Sequence, residues 1–427
     1  MKHLAIALTL LLWALPLASN AQDVKIIEDE KCGCDIYLVN GIETTRDGDR
    51  YGFRYEDGTV IVPNIYRFVG QFANGYCKVQ RDYDSVGLID STGREIVPCL
   101  YDDVDYPSEN RILVRKNGLI GYTDLNGNLV ISPRFSNAGG FSEGCAPVYI
   151  ATDSLGDHYN FIDTLGHFVF PKDYNSVLPF SEGYAPVSID GLWGMIDHSG
   201  RIVLSMDYET ITNITEGVFF AGSPGYLALF DTSMLRITDF VYEKANTPIE
   251  HRILVNRDGK YGFLNLKGDE AVPCIYDETG IFQQGRTLAR LGDHYGIIDT
   301  NGRIILPIEY DNRTVKGMKY MYYDSLALVE KDGKLGYVDL DGKLVIPFYF
   351  EEAFQFSEGL AAARFQGMWG YIDTHGDIFM PFIFYAATPY KYGRAEVIYQ
   401  GAARKVNRKG KCVRNCNGII AWRNWQE

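Results

Sequence analysis

Ten positions along this 427-residue chain are copies of one another: Gly52, Gly87, Gly121, Asn160, Gly194, Ala228, Gly262, Gly296, Gly336 and Gly370. The steps between them are 35, 34, 39, 34, 34, 34, 34, 40 and 34 residues. Fourteen residues after every one stands an aromatic: Tyr66, Tyr101, Phe135, Tyr174, Tyr208, Tyr242, Tyr276, Tyr310, Phe350 and Phe384. Six residues after it stands glycine in nine copies of ten, Met234 being the exception. A fixed period of this length confines the chain to repeat architectures, in which one copy cannot bury its apolar face without the next.

Within a copy the local pattern is that of strands. Leu335–Gly336–Tyr337–Val338–Asp339 leads into the turn Leu340–Asp341–Gly342, and Lys343–Leu344–Val345–Ile346 returns. Apolar runs bounded by Asp and Gly are a hairpin signature. The turn aspartate recurs as Asp90, Asp124, Asp163, Asp197, Asp231, Asp299, Asp339 and Asp373. A proline such as Pro347 or Pro381 ends the returning strand, because it has no N–H for a ladder. A Phe-Ser-Glu-Gly turn and a third strand follow, as in Phe356–Ser357–Glu358–Gly359 and Leu360–Ala361–Ala362–Ala363. The expected fold is all-β: a tandem array of about ten three-stranded antiparallel units, elongated or superhelical, with a closed propeller-like toroid as the alternative. The fixed aromatics are expected to form the core, worth ~1.5–3 kcal/mol per buried ring; the alternative is a sugar-stacking platform.

These residues resemble the WG-repeat, or KWG-repeat, family. Its pattern W-G-x-I-D, then Y-D, then F-S-E-G, stands most fully at Trp193–Gly194–Met195–Ile196–Asp197, Trp369–Gly370–Tyr371–Ile372–Asp373 and Phe180–Ser181–Glu182–Gly183. Tyr, Leu, Val and Ile replace the tryptophan elsewhere. The resemblance spans residues 51–397 and implies a β-rich repeat protein. It implies no established catalytic site, so no functional residue carries over.

The flanks read differently. Residues 1–21 have the form of a signal peptide, with Lys2, an apolar run from Leu4 to Leu17, and Ser19–Asn20–Ala21 for cleavage near Ala21. The expected location is periplasmic, cell-surface or secreted, with no transmembrane segment after cleavage. Residues 22–50 form a cap segment, with Thr44 to Gly48 read as turn-like. Residues 398–427 form a truncated closing repeat and C-terminal cap, with Trp422 and Trp425 covering the last open edge. A net charge of −14 argues against nucleic acid as partner. Of eight cysteines, Cys77, Cys99, Cys145 and Cys274 occupy repeat slots and read as small buried hydrophobes. Cys32, Cys34, Cys412 and Cys416 lie beyond the repeats and are candidates for terminal disulfides, with zinc as the sharper alternative.

Chemistry is sparse. No nucleophile elbow, phosphate loop or zinc-protease motif is present. Glu143, Glu182, Glu216 and Glu358 recur at the repeat spacing, unlike a unique catalytic pair. His158, His198, His294 and His375 fall in repeat slots, and Asp339–Gly342 is only a fragment of a calcium loop. No enzyme activity, cofactor or metal is expected. Departures from the period are more telling: extra residues lie around Ala151 to Asp157 and around Lys316 to Tyr323. Insertions in repeats map to loops, often on the binding face, and Tyr320, Tyr322 and Tyr323 are the candidate partner contacts. The basic run Arg404, Lys405, Arg408, Lys409, Lys411, Arg414 reads as a solvated face, or as a dock for an acidic partner. The expected function is an exported, non-enzymatic binding scaffold for a protein or glycan partner at the cell envelope. The alternative is a carbohydrate-binding or carbohydrate-active surface protein using exposed aromatics.

Overall fold

The computed structural model describes residues 24–29, 34–39, 41–150, 158–310, 325–391 and 393–414. It is all-β in these residues, with strands that pair antiparallel. The chain divides into two compact bodies, Met1–Ile65 and Tyr66–Glu427.

The first body is built on a five-stranded sheet in sequential order: Val24–Asp29, Cys34–Val39, Ile42–Asp47, Arg50–Tyr55 and Val60–Tyr66. Thr44 to Asp47, expected as a turn, belongs to a strand that pairs with Arg50–Tyr55 from Ile42↔Tyr55 to Asp47↔Arg50. Its polar outer residues are exposed, which hid the strand from a reading that looked for apolar alternation. The hairpin runs from Ile42 to Tyr55.

The second body is a succession of small sheets of three or four strands. In one of them, Glu278–Thr279, Arg286–Leu291, His294–Asp299 and Ile304–Tyr310 lie side by side in sequence order. Two features differ from the expected three-stranded unit. A two-residue strand just after the fixed aromatic adds a fourth member. The sheet also straddles the motif: its first two strands follow Tyr276 of one copy, and its last two carry Gly296 and Tyr310 of the next.

Neighbouring side chains of one strand serve two cores. Ile298 packs with Phe263 and Tyr276 of the preceding sheet and with Phe282 from a loop of its own sheet, and Ile297 packs with Ala327, Val329 and Val338 of the following one. Alternating direction along a strand produces this division, so the consecutive apolar pair is buried on both faces. The fixed aromatics are core: eight of the ten are buried, and Tyr208 and Tyr310 are half-buried.

The slot glycine has a steric cause. The returning strand bulges over it, pairing Tyr295↔Tyr310, Ile297↔Leu306 and Ile298↔Ile304 with shifts between. A Cβ on Gly296 would stand 2.6 Å from the Leu306 carbonyl oxygen, and on Gly121 2.4 Å from that of Ile131. The two copies without glycine show the consequence. At Asn160 and Ala228 the returning strand is lost as a strand, leaving isolated bridges at its two ends. The pairs that survive are Ile162↔Phe168 with Tyr159↔Tyr174, and Phe230↔Arg236 with Leu227↔Tyr242. The missing pair is the one beside the slot. The Asn160 amide fills that place, donating to the Phe170 carbonyl at 3.0 Å and to Asp173 Oδ1 at 2.9 Å.

At the C-terminal end Arg394–Tyr399, Ala402–Asn407 and Cys412–Arg414 form a further sheet with Ala386–Ala387. Asn407 takes the place of the turn aspartate, its Oδ1 accepting from the amides of Lys409 and Lys411, both at 3.0 Å. Trp422 and Trp425 lie outside the described residues.

Candidate functional site

The recurring polar residues of the motif converge on one task, joining successive repeats. In the Phe-Ser-Glu-Gly turn the glutamate takes a left-handed backbone: φ is 54° at Glu143, 53° at Glu182 and 58° at Glu358. Its carboxylate thereby reaches the same turn one repeat on. Glu143 Oε2 accepts from Gly183 N at 2.9 Å, Glu182 Oε2 from Gly217 N at 3.0 Å, and Glu358 Oε2 from Gly393 N at 2.7 Å. Glu109 and Glu250 hold two amides each in the same way. The serine beside it makes a parallel bond, as Ser142 Oγ donates to the Phe180 carbonyl at 2.7 Å and Ser357 Oγ to that of Tyr390 at 2.7 Å.

Turn aspartates act locally. Asp197 Oδ1 accepts from the Ser199 hydroxyl at 2.6 Å, from Ser199 N at 2.9 Å and from Arg201 N at 3.1 Å. The Ser199 hydroxyl, with these amides, pulls its carboxyl down to about 2. The acid after the fixed tyrosine caps another turn: Asp102 Oδ2 accepts from Gly118 N at 3.0 Å and Asp277 Oδ2 from Gly292 N at 2.7 Å.

The histidines join the same scheme. His198 stacks on Phe180 with centroids 4.1 Å apart and meets Glu143 Oε2 through Nε2 at 3.0 Å. His375 is exposed at its turn. Among the described residues no three His, Cys, Asp or Glu side chains converge to hold a metal ion.

Cys77, Cys99 and Cys145 are buried free thiols and Cys274 is half-buried. Burial pushes the thiols of Cys77 and Cys274 up to about 12 and about 11, which keeps them protonated and unreactive. Cys412 is buried and disulfide-bonded. Cys32, Cys416 and the side chain of Cys34 lie outside the described residues. So do Tyr320, Tyr322, Tyr323 and the insertion at 151–157. The base of the second insertion is described: Tyr310, where the preceding strand ends, stacks on Phe348 at 5.9 Å beneath the Lys331 ammonium at 5.5 Å. The basic run does not share one face. Arg404 is buried beside the Tyr399 ring, Lys405 pairs with Glu396 at 3.3 Å, and Arg408, Lys409 and Lys411 are exposed.

The repeat pattern does not single out Asn256, which lines an open groove between two sheets. Six residues before the slot stand Arg46, Arg81, Arg115, Arg290 and Arg364 in five copies, while Ser154, Ser188, Gly222, Asn256 and Glu330 stand there in the others.

Small antiparallel sheets, each buried between its neighbours and stapled to the next turn by Ser and Glu, define a tandem β-repeat protein. The WG containing repeat matches at residues 87–119, 120–150, 161–193, 193–221, 261–293, 295–334, 336–368 and 369–401, and the chain belongs to this family. Residues 222–260, which contain the Ala228 slot, fall in a gap between matches. No curated protein matches the sequence. Among solved structures, a eukaryotic initiation factor is similar at 10% identity and a TM-score of 0.36, over 69% of this chain and 92% of that one. The extracellular domain of a hybrid two-component system from B. thetaiotaomicron is similar at 10% identity and a TM-score of 0.24, over 92% of this chain and 64% of that one. PorZ, a surface component of the type-IX secretion system of Porphyromonas gingivalis, is similar at 11% identity and a TM-score of 0.27, over 75% of this chain and 54% of that one.

Proposed function

We propose that this protein is an exported, non-enzymatic binding scaffold that engages a protein or glycan partner at the cell envelope through the insertion carrying Tyr320, Tyr322 and Tyr323. The observation that carries this reading is the commitment of the recurring carboxylates and hydroxyls to repeat-to-repeat bonds, as at Glu143, Glu182, Glu358, Ser142 and Ser357. Residues so engaged hold the array together, and recognition falls to the departures from the period. Cleavage near Ala21 and terminal disulfides among Cys32, Cys34, Cys412 and Cys416 belong to the same reading, since an oxidising compartment sustains such bonds. The test is capture of envelope proteins by the mature chain and by its Y320A/Y322A/Y323A variant. Loss of a captured partner with an unchanged melting temperature is expected. Unchanged capture with a lowered melting temperature would make the insertion a structural flap.

A second reading, carbohydrate binding, is favoured by exposed rings outside the core, including Tyr83 at 78% and Tyr385 at 67%. A glycan array probed with the mature chain tests it; binding of no glycan overturns it.

A further inference from the structure

In several of the four-stranded sheets the residue six before the glycine slot lies opposite the first residue of the short strand. Arg290 lies opposite Glu278 and donates from Nε to its Oε2 at 3.1 Å. Arg364 lies opposite Glu352 and donates to it likewise. The position varies between sheets, with Ser188 opposite Ser176 and Ile398 opposite Ala386, and in one of them Asn256 lies opposite Lys244. There a short amide stands at the place of Arg290 and Arg364, and a cation at the place of Glu278 and Glu352.

Beside this pair lies an open groove of about 500 Å³. Lys244, Asn246, Leu254, Asn256 and Tyr261 line one side, and the other is formed by Asp277, Glu278 and Thr279 of the next sheet. The acceptors on that far wall are already engaged. Asp277 takes the Lys260 ammonium and the Gly292 amide, and Glu278 takes Arg290. The donors are not. Among the described residues neither the Lys244 ammonium nor the Asn246 side-chain amide, both exposed, has a protein partner. Asn256 is 4% exposed, lines the groove, and its side-chain amide makes no hydrogen bond within the described protein. The Thr279 hydroxyl beside it is also without a partner. Buried polar groups are almost always satisfied, so an open amide facing a cavity marks a place for something else.

We propose that this groove is a saccharide subsite selective for a sugar ring bearing a carboxylate, a hexuronate. Lys244 takes the carboxylate, the Asn256 and Asn246 amides take ring hydroxyls as donor and acceptor at once, and a C–H face of the ring lies on Tyr261 and Leu254. The engaged carboxylates of Asp277 and Glu278 line the far wall and repel a second anion. The proposal rests on the carbohydrate reading and deepens it, and it uses no residue of the 311–324 insertion.

The test is calorimetric titration of the mature chain with a trigalacturonate and, separately, with neutral maltotriose. The variants are Asn256→Arg, which places there the longer side chain found at Arg290 and Arg364 and fills the groove, Lys244→Gln, and Tyr261→Ala as a second route to the ring face. Trigalacturonate is expected to bind, to weaken about ten-fold or more in N256R and Y261A at unchanged melting temperature, and to lose its salt dependence in K244Q. Trigalacturonate affinity unchanged in both N256R and Y261A overturns the site. Maltotriose bound as tightly as trigalacturonate overturns the anion selectivity and leaves the carbohydrate reading standing. Binding of neither sugar overturns the hexuronate site, and a glycan array blank for every sugar would take the carbohydrate reading with it.

Discussion

The carboxylate of Glu250 spans one repeat to hold two backbone amides, those of Gln284 at 2.7 Å and Gly285 at 2.8 Å. Both amides sit in the next turn of the same kind, and no side-chain donor is involved. The bond therefore reads position alone, which is why the sequence around it can drift while the acid recurs.

Replacing Glu250 by alanine removes both bonds without changing the left-handed backbone, where φ is 51°. Hydrogen bonds to a charged group in an exposed turn are worth about 1 kcal/mol net. Urea denaturation should show a loss of about that size. No change in midpoint would remove the staple from the account of stability.

Gly296→Ala tests the slot. Its Cβ would meet the Leu306 carbonyl oxygen at 2.6 Å and Ile308 Cα at 2.8 Å, both backbone and unable to swing away. A cost of about 1–3 kcal/mol is expected. Amide exchange should quicken selectively along Ile304–Tyr310, as the loss of the returning strand at Asn160 and Ala228 foretells. Protection of that strand left at its native level would contradict the steric argument.

Acid should loosen the hairpin turns. The Ser199 hydroxyl and its neighbouring amides hold Asp197 at about 2, and the Asn128 amide holds Asp124 below its ordinary value. A carboxyl depressed on folding adds stability that is present above its unfolded value and lost as pH falls through the folded one. The window lies from 3.8 down to about 2. Melting temperature measured across it should fall, and D197N should flatten the fall.

Alkali acts through the tyrosines. Burial pushes the Tyr66 hydroxyl up to about 12. Burial also raises Tyr122, Tyr337 and Tyr371, whose hydroxyls donate to the carbonyls of Gly139, Phe354 and Thr388. Protons are then bound more tightly folded than unfolded, so stability is full below 10 and falls as pH rises through about 12. Tyrosinate absorbance should rise cooperatively with loss of strand signal in that range. Smooth ionisation before any unfolding would place these rings in water.

Much of this architecture was legible in the sequence because its strongest signals are periodic. The ring fourteen residues past each slot and the Asp-to-Gly hairpin turn both repeat often enough to be read without a partner. The sheet's phase was not legible. A strand such as Arg286–Leu291 pairs with His294–Asp299 across a motif boundary, and nothing in either segment states which neighbour it takes. Two-residue strands such as Glu278–Thr279 are too short to carry a period. The Ser and Glu of the turn were visible as recurring letters, but their role depends on two turns 34 residues apart lying in contact. Asn256 was not legible because its position has no fixed residue: Arg, Ser, Gly and Glu stand there in other copies. The Tyr320, Tyr322 and Tyr323 insertion was found by its extra length, which needs no knowledge of the fold.

A sheet drawn from the tail of one copy and the head of the next has a bearing on how such a chain grows. Any window one period long, wherever its ends fall, carries the strands of one complete sheet in cyclic order. Duplicating residues 262–295, which begin inside a hairpin, should lengthen the protein as harmlessly as duplicating a tidy motif. Unequal crossover in the gene would then need no reading of where a repeat begins, only of its length.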